Sequence, residues 1–441
     1  MANDLMQEVD MPRLVRQRDQ DRLRAYRENL DFYSGKQWPA GARKRERRLT
    51  FNYARVLIDK VSSYLMSSLN FAVDEADGFT PERARRAEEA LYRVYRENNL
   101  ELLDLETEID TAILGDGCFK VIWDPTEGRV RITAPDIQGI FAWWVGDDRD
   151  RVWRVASRYR LEAEEAEMLY GQRPSGPASE VIEVWSASDF QLWLDGALAQ
   201  HEANPYGLIP FVIFPNLREP KSFWGVSDIP VLRQAAEELN RAMTALSSIL
   251  ELSGNPIAVL ENIDKAEDIA VEPGAVWELP QSARAYLLDL LAGGGVRLHI
   301  DYIEQVRRTL HDLSESPRTA FGDGERQLSG VALEMEMHPL LQKVKRKRLV
   351  RTAAYQRRNE MILRILERFS GEPFAPYHSR VVWGPVLPQD RTRLVSDERA
   401  MVDARLHSRR RAMDELGVQD PERELVSILE EASLLAADAV R

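Results

Sequence analysis

The sequence predicts an α+β chain that is largely helical and divided into several substructures, on three observations. Apolar residues recur at helical spacing over the first 113 residues and again over much of the second half. Between these stretches lies a block of alternating or continuous apolar segments, rich in β-branched and aromatic residues and bounded by Gly, Pro and Asp. The chain has 441 residues, 44% hydrophobic and 30% charged, which is a globular composition too long for one ordinary domain.

Taken in order, residues 10–34 are charged and helical in pattern, and RKRERR (43–48) is a basic run of the kind usually found on a solvated loop or helix face. FNYARVLIDKVSSYLMSSL (51–69) has apolar residues at helical spacing. Thr80-Pro81 is an N-cap followed by a proline at the first helical position, so one or two amphipathic helices are expected over 81–113. CFKVIWD (118–124), RVRITAP (129–135), VWRVASRYRL (152–161) and EVIEVWSASDFQLWLDG (180–196) read as antiparallel strands.

Residues 228–253 carry the clearest pattern. Asp228 can cap a helix, and Pro230 falls in its first turn, where a missing N–H costs little. Leu232, Ala235, Leu239, Ala242, Leu246 and Ile249 follow at spacings of 3, 4, 3, 4, 3. Such a heptad stripe buries itself against another helix, in the same chain or in a neighbouring copy. Gly254-Asn255-Pro256 ends the helix, which at 1.5 Å per residue is roughly 39 Å long. PIAVLE and AVWELP within 256–298 look like short strands, and Gly293-Gly294-Gly295 like a flexible joint. A second amphipathic helix follows, with Ile303, Val306, Leu310 and Leu313 on its seam, ending before Pro317. The simplest packing sets the two helices side by side with the intervening segment at one tip.

Residues 318–329, RTAFGDGERQLS, read as an exposed loop. A very long helix is expected from about Gly330 to Phe369, with Pro339 kinking or interrupting it. Strand texture returns over 380–395, and 396–441 form a small helical unit broken at Gly417 and Pro421. The run Lys343, Lys345, Arg346, Lys347, Arg348, Arg351 has two readings. It is a surface for DNA or for the acidic face of a neighbour, or it is a solvated helix face paired with Glu334, Glu336 and other local acids. No internal repeat is present.

Composition and motifs also exclude. Cys118 is the only cysteine, which rules out an intrachain disulfide and a four-cysteine zinc site and fits assembly under reducing conditions. The N-terminus has no apolar signal core, and no run of 18 apolar residues spans a membrane. A formal charge of −13 is the opposite of what a phosphate-clamping protein shows. No GxxxxGK[ST], HExxH, CxxC or GxSxG occurs. The six histidines are scattered without metal-ligand spacing, and Asp147, Asp148 and Asp150 suit a polar turn between strands better than a cation site. The reading is therefore non-enzymatic, with no catalytic residue, cofactor or metal.

Three stretches are familiar together: FYSGKQW (32–38) with LTFNYARVLIDKVSSYLMS (49–67); AILGDGCFKVIWD (112–124) with RITAPDIQGIF (131–141); and NPYGLIPFVIFPN (204–216) with WGVSDIPVLRQAAEELNRAMTALSSILELSGNPI (224–257). Their order and spacing resemble the portal family of tailed double-stranded-DNA phages, in its SPP1-like branch. SGVALEMEMHPLLQKVKRKR (329–348) and SRRRAMDELGVQDPERELVSILE (408–430) agree with it, so that the resemblance covers roughly residues 30–435.

The resemblance implies a portal fold with wing, stem, clip and crown, twelve copies forming a ring at one capsid vertex, and a central channel for DNA packaging and ejection. Residues 1–226 would be the first part of the wing, 227–254 and 299–317 the stem helices, 255–298 the clip, 318–330 the tunnel loop, 331–395 the long kinked helix and return strands of the wing, and 396–441 the crown. The implied partners are double-stranded DNA, the terminase large subunit, a head-completion or adaptor protein, and the major capsid and scaffolding proteins, with no membrane. The implied location is the virion, after assembly in the host cytoplasm. In this mapping Arg318, Asp323, Glu325, Arg326 and Gln327 face DNA, Gly322 and Gly324 are hinges, and Leu232, Leu239, Leu246, Ile249, Ile303, Val306, Leu310 and Leu313 form the stem seam. Two other classes stay open on the residues alone: a capsid or tail structural protein without a channel, and a metal-dependent DNA-processing enzyme.

Overall fold

Asp10 accepts a hydrogen bond from the Arg13 amide at 3.0 Å and so starts the first helix, α1 (Met11–Gln17), which carries Pro12 in its first turn. In the computed structural model, residues 10–39, 48–73, 78, 80–171, 174, 176–254, 258–262, 282, 284–287, 295–322, 330–387, 391–418, 421 and 424–429 are described. The chain divides into two units, Met1–Val382 and Trp383–Arg441.

In the first unit, Asp19 turns the chain through a left-handed conformation from α1 into α2 (Gln20–Tyr33). Then come α3 (Tyr53–Leu65), β1 (Leu69–Ala72), α4 (Pro81–Glu97) and α5 (Leu100–Leu114). Thr80 caps α4 as its sequence position predicts, its hydroxyl accepting from the Arg83 amide at 3.4 Å. Gly115 ends α5 at φ +109°, where a side chain would be strained; a Cβ there would also lie 3.0 Å from the Ser227 amide nitrogen.

The strand block is antiparallel throughout. β2 (Asp116–Asp124), β3 (Arg129–Thr133) and a later strand, β9, form a three-stranded sheet in the order β3-β2-β9. β4 (Ile140–Val145), β5 (Asp148–Glu162), β6 (Ala178–Ser186), β7 (Asp189–Leu194) and β8 (Ala197–Ala203) form a five-stranded meander, with α6 (Ala163–Tyr170) between β5 and β6. β9 is Phe211–Pro215, and β10 (Leu217–Arg218) pairs with β11 (Gly225–Val226). Residues 180–196, expected as one strand segment, are the hairpin β6–β7: Ser186 and Asp189 bond across a tight turn that reverses the chain. Asp147 and Asp148 sit at the β4–β5 turn as expected, beside Gly146 at φ +58°.

The two long helices of the hairpin are α7 (Ile229–Gly254) and α8 (Gly295–Ser314); between them β12 (Ala258–Glu261) pairs with β13 (Arg284–Leu287). AVWELP and the glycines at 293 and 294 lie outside the described residues. After α8 comes α9 (Gly330–Ser370), 41 residues with Pro339 inside it, which packs on β2, β3 and β9. The first unit ends within β14 (Arg380–Trp383), which pairs with β1. Strand texture was expected to run to residue 395, but helix α10 (Arg391–Asp403) already begins at 391; α11 (Arg409–Glu415) follows it in the second unit. Gly417, at φ +79°, follows the end of α11. Among the described residues no helix is long and apolar enough to cross a membrane.

One buried cluster joins most of the first unit, from Met11 and Tyr26 through Ile58, Phe141, Trp185 and Leu239 to Leu310. A chain of buried amides runs through the same region. Asn240 on α7 donates to Gln37 at 2.6 Å and accepts from the Phe51 amide at 2.7 Å, while Gln37 donates to Asn52 at 2.8 Å. FYSGKQW and the start of the 49–67 stretch are thus both fastened to α7.

Candidate functional site: a projecting helical hairpin on a row of buried charges

The hairpin divides into a buried base and an exposed tip. On α7 the stripe residues Leu232, Leu239 and Ala242 are buried, together with Ala236. On α8 Ile303, Val306 and Leu310 are buried opposite them, so the seam predicted from the heptads closes within the chain at its base. Leu313 departs from it and is 39% exposed, because an α-helix advances 3.6 residues per turn and Ser314 takes the inward position. Leu246 packs against the core only in part, and Ile249 is half-buried. From Met243 to Glu251 and from Gly295 to Tyr302 no residue is buried. The tip half of the hairpin therefore extends beyond the core with Leu250, Leu298 and Ile300 more than half exposed.

The base is held by α9. Its inward face carries Met337, Leu340 and Val344 at helical spacing and then, on the same stripe, Lys347, Arg351 and Arg358, each 0% exposed. Lys343 precedes them and is also buried. Lys343 Nζ lies 3.2 Å from Asp228 Oδ1, one residue before α7, and donates to the Ser314 carbonyl at the end of α8 at 3.1 Å. One ammonium thus ties both legs of the hairpin to α9. Lys347 donates to Asp228 Oδ2 at 2.7 Å and lies 3.7 Å from Glu108 on α5. Arg351 forks onto Glu108 at 2.6 and 2.9 Å, and also donates to the carbonyls of Pro215 and Asn216 at 2.7 and 2.9 Å. Arg358 forks onto Asp104, with its second bond at 2.8 Å, and lies 4.4 Å above the Phe119 ring.

The electrostatics follow from this packing. Against the upward pull of burial, Lys347 and Lys343 hold the Asp228 carboxyl well below the usual carboxylate range. Burial pulls the Arg358 guanidinium down, but Asp104 and Tyr95 outweigh it and raise it above its ordinary value. Four cations face three carboxylates, and the surplus charge is met by the carbonyls of Ser314, Pro215 and Asn216. Asp228, expected to cap α7, is drawn to the lysines; the Ile229 amide donates to the Ser227 hydroxyl at 3.0 Å.

The basic run is therefore resolved residue by residue. Lys343, Lys347 and Arg351 are interior, with partners distant in sequence. Arg346 forks onto Glu315 at 2.6 and 2.8 Å, Arg348 donates to the Leu65 and Ser67 carbonyls, and Lys345 is exposed. Neither sequence reading anticipated burial. The available signal was Lys and Arg on inward helical positions of a long helix, together with Asp104 and Glu108 four residues apart on α5.

The loop candidates are less complete. Arg318 lies in a 3₁₀ turn (Arg318–Phe321) and is paired with Glu304 on α8. Gly322 follows at φ +81°. Asp323, Gly324, Glu325, Arg326 and Gln327 lie outside the described residues. His311 is a packing histidine: its ring meets the Ser316 carbonyl at 2.7 Å and the Tyr53 hydroxyl at 3.1 Å. Among the described residues no group of three or more His, Cys, Asp or Glu is placed to hold a metal ion. Cys118 is buried, and burial pushes its thiol far up.

A family model described as phage portal protein, SPP1 Gp6-like, matches residues 14–434. No curated protein matches the chain.

Proposed function

Since the chain belongs to the phage portal proteins of the SPP1 Gp6-like family, structural components of the virion capsid, we propose that it works as the ring at one capsid vertex through which DNA is packaged and ejected. Twelve copies surround the channel. The clip, residues 255–298, docks the terminase large subunit during packaging and head-completion or adaptor proteins afterwards, while the wing contacts the major capsid and scaffolding proteins. Assembly takes place in the host cytoplasm, and the ring itself catalyses nothing.

The observation that carries this reading is the projecting hairpin. Its base is pinned to the long helix at both legs by Lys343, and its tip presents the exposed apolar residues Leu250, Leu298 and Ile300, which no described residue buries. Neighbouring copies arranged head to tail cover such a surface, and the rotation closes them into a ring. The net charge of −13 suits a conduit, since a negative wall repels phosphates and keeps a sliding duplex centred. Residues 318–330 act as the movable constriction, with Arg318, Asp323, Glu325, Arg326 and Gln327 toward DNA and Gly322 and Gly324 as hinges. End-on negative-stain imaging of the purified protein tests the proposal: rings with a bore that admits a duplex are expected. A monomer under every assembly condition, or a bore too narrow for B-form DNA, overturns it.

A further inference from the structure

A second concentration of arginines lies away from the hairpin. A groove of about 990 Å³ follows the second half of α9, between Tyr206–Leu208 and Tyr377–Ser379. Arg357, Arg364 and Arg368 line it at i, i+7 and i+11, on one face of the helix, over an apolar floor that includes Ala353 and Leu208. Arg357 also lines an adjoining cavity of about 50 Å³ that holds Arg149 and Arg218. The acids of this region are already engaged. Glu360 accepts from Arg364 at 2.8 Å, Glu367 accepts from the Phe374 and Ala375 amides, and Asp150 lies 3.4 Å from Arg218. Arg357 and Arg368 have no hydrogen-bond or ion-pair partner among the described residues. On a chain of net charge −13 the groove is thus locally cationic.

The complementary surface is on α6. Glu164 and Glu165 face solvent there, and Met168 and Leu169 are 77% and 57% exposed. Arg149, beside the smaller cavity, is near the start of β5, and α6 follows its end. At ~3.3 Å per residue the two stand roughly 45 Å apart along one strand. A cationic groove and an acidic, apolar-tipped helix at separate places on one chain suit a head-to-tail contact between copies.

Resting on the ring reading above, we propose that the arginine groove of one copy receives α6 of the next, with the α6 acids on the groove's arginines and Met168 and Leu169 on its floor. Two single variants at exposed positions, Met168→Cys and Ala353→Cys, test this when mixed under assembly conditions and oxidised. Covalent dimers are expected from the mixture and not from either protein alone. The double reversal Arg357→Glu/Arg368→Glu is expected to lower the ring fraction about tenfold at fixed protein concentration. Wild-type rings without a cross-link in the mixture overturn the α6 assignment and leave the ring reading standing. Normal rings from the charge-reversed protein, with loss of salt-sensitive binding to a double-stranded DNA fragment, make the groove a nucleic-acid contact and overturn the proposal as well. No wild-type ring under any condition removes both.

Discussion

Arg358 and Asp104 show how strongly single side chains are committed in this protein. Removing one partner of such a pair leaves a charge buried without compensation. Asp104→Asn should cost about 3–5 kcal/mol, read as a lower denaturant midpoint, whereas Asp104→Leu/Arg358→Met together should recover most of the loss. Asp116 behaves differently. Burial lifts its carboxyl to about 6, although the Tyr26 hydroxyl and the Gly225 amide both donate to it, at 2.5 and 2.8 Å. An unfolded aspartate titrates near 3.9, so between about pH 4 and 6 the folded state binds the extra proton. Folding stability from this group therefore grows as the pH drops from 7 to 4, by about 3 kcal/mol, and is least above pH 6. Asp116→Asn should abolish that slope, which equilibrium unfolding followed across pH 4–7 will reveal. The sequence offered little warning of either residue. Asp104, Glu108 and Thr111 occupy the inward face of α5 while Leu102 points to water, the reverse of the pattern that burial normally imposes on a helix. A carboxylate reads as exposed until its cation, more than 200 residues away, is known.

At the level of elements, the helices were legible where an apolar stripe, a cap and a stop signal agreed. α4 begins at Thr80-Pro81, α7 runs from Pro230's turn to Gly254, and α9 crosses the position of Pro339. Strands that β9 and β4 represent were harder, because PFVIFP and IFAWW are short apolar runs without alternation, and periodicity cannot separate those from helix. The division of 180–196 depended on a turn at Ala187-Ser188 that lacks glycine and proline. The hairpin packing was predicted from heptads alone, but its fastening was not, since Lys343 joins two helix ends that sequence spacing keeps apart. Lys343→Met, which keeps the stem and removes the charge, should speed amide hydrogen exchange in the first turn of α7 and the last turn of α8. Exchange at the tips, residues 243–251 and 295–302, should be unchanged. Uniform protection across both helices would show that Lys343 is not the fastening.

For the molecule as a whole, family membership was carried by motif order, while composition alone excluded classes without choosing one. The negative charge argued only against a phosphate clamp. The exposed tip supplies the next prediction: Leu298→Ser/Ile300→Ser should leave the unfolding midpoint of the isolated chain nearly unchanged, since neither residue is buried there, and should reduce the fraction recovered as rings in sedimentation velocity. A large loss of monomer stability would place these residues in the chain's own core instead. Buried charges also set the mechanics of the long helix. Sliding α9 by one residue would turn Lys347, Arg351 and Arg358 away from Asp228, Glu108 and Asp104 and strand six or more ions, so axial travel is forbidden. Pro339 lies N-terminal to all of them, where a backbone hydrogen bond is already missing. Any bending of α9 is therefore expected at that proline rather than along the charged row.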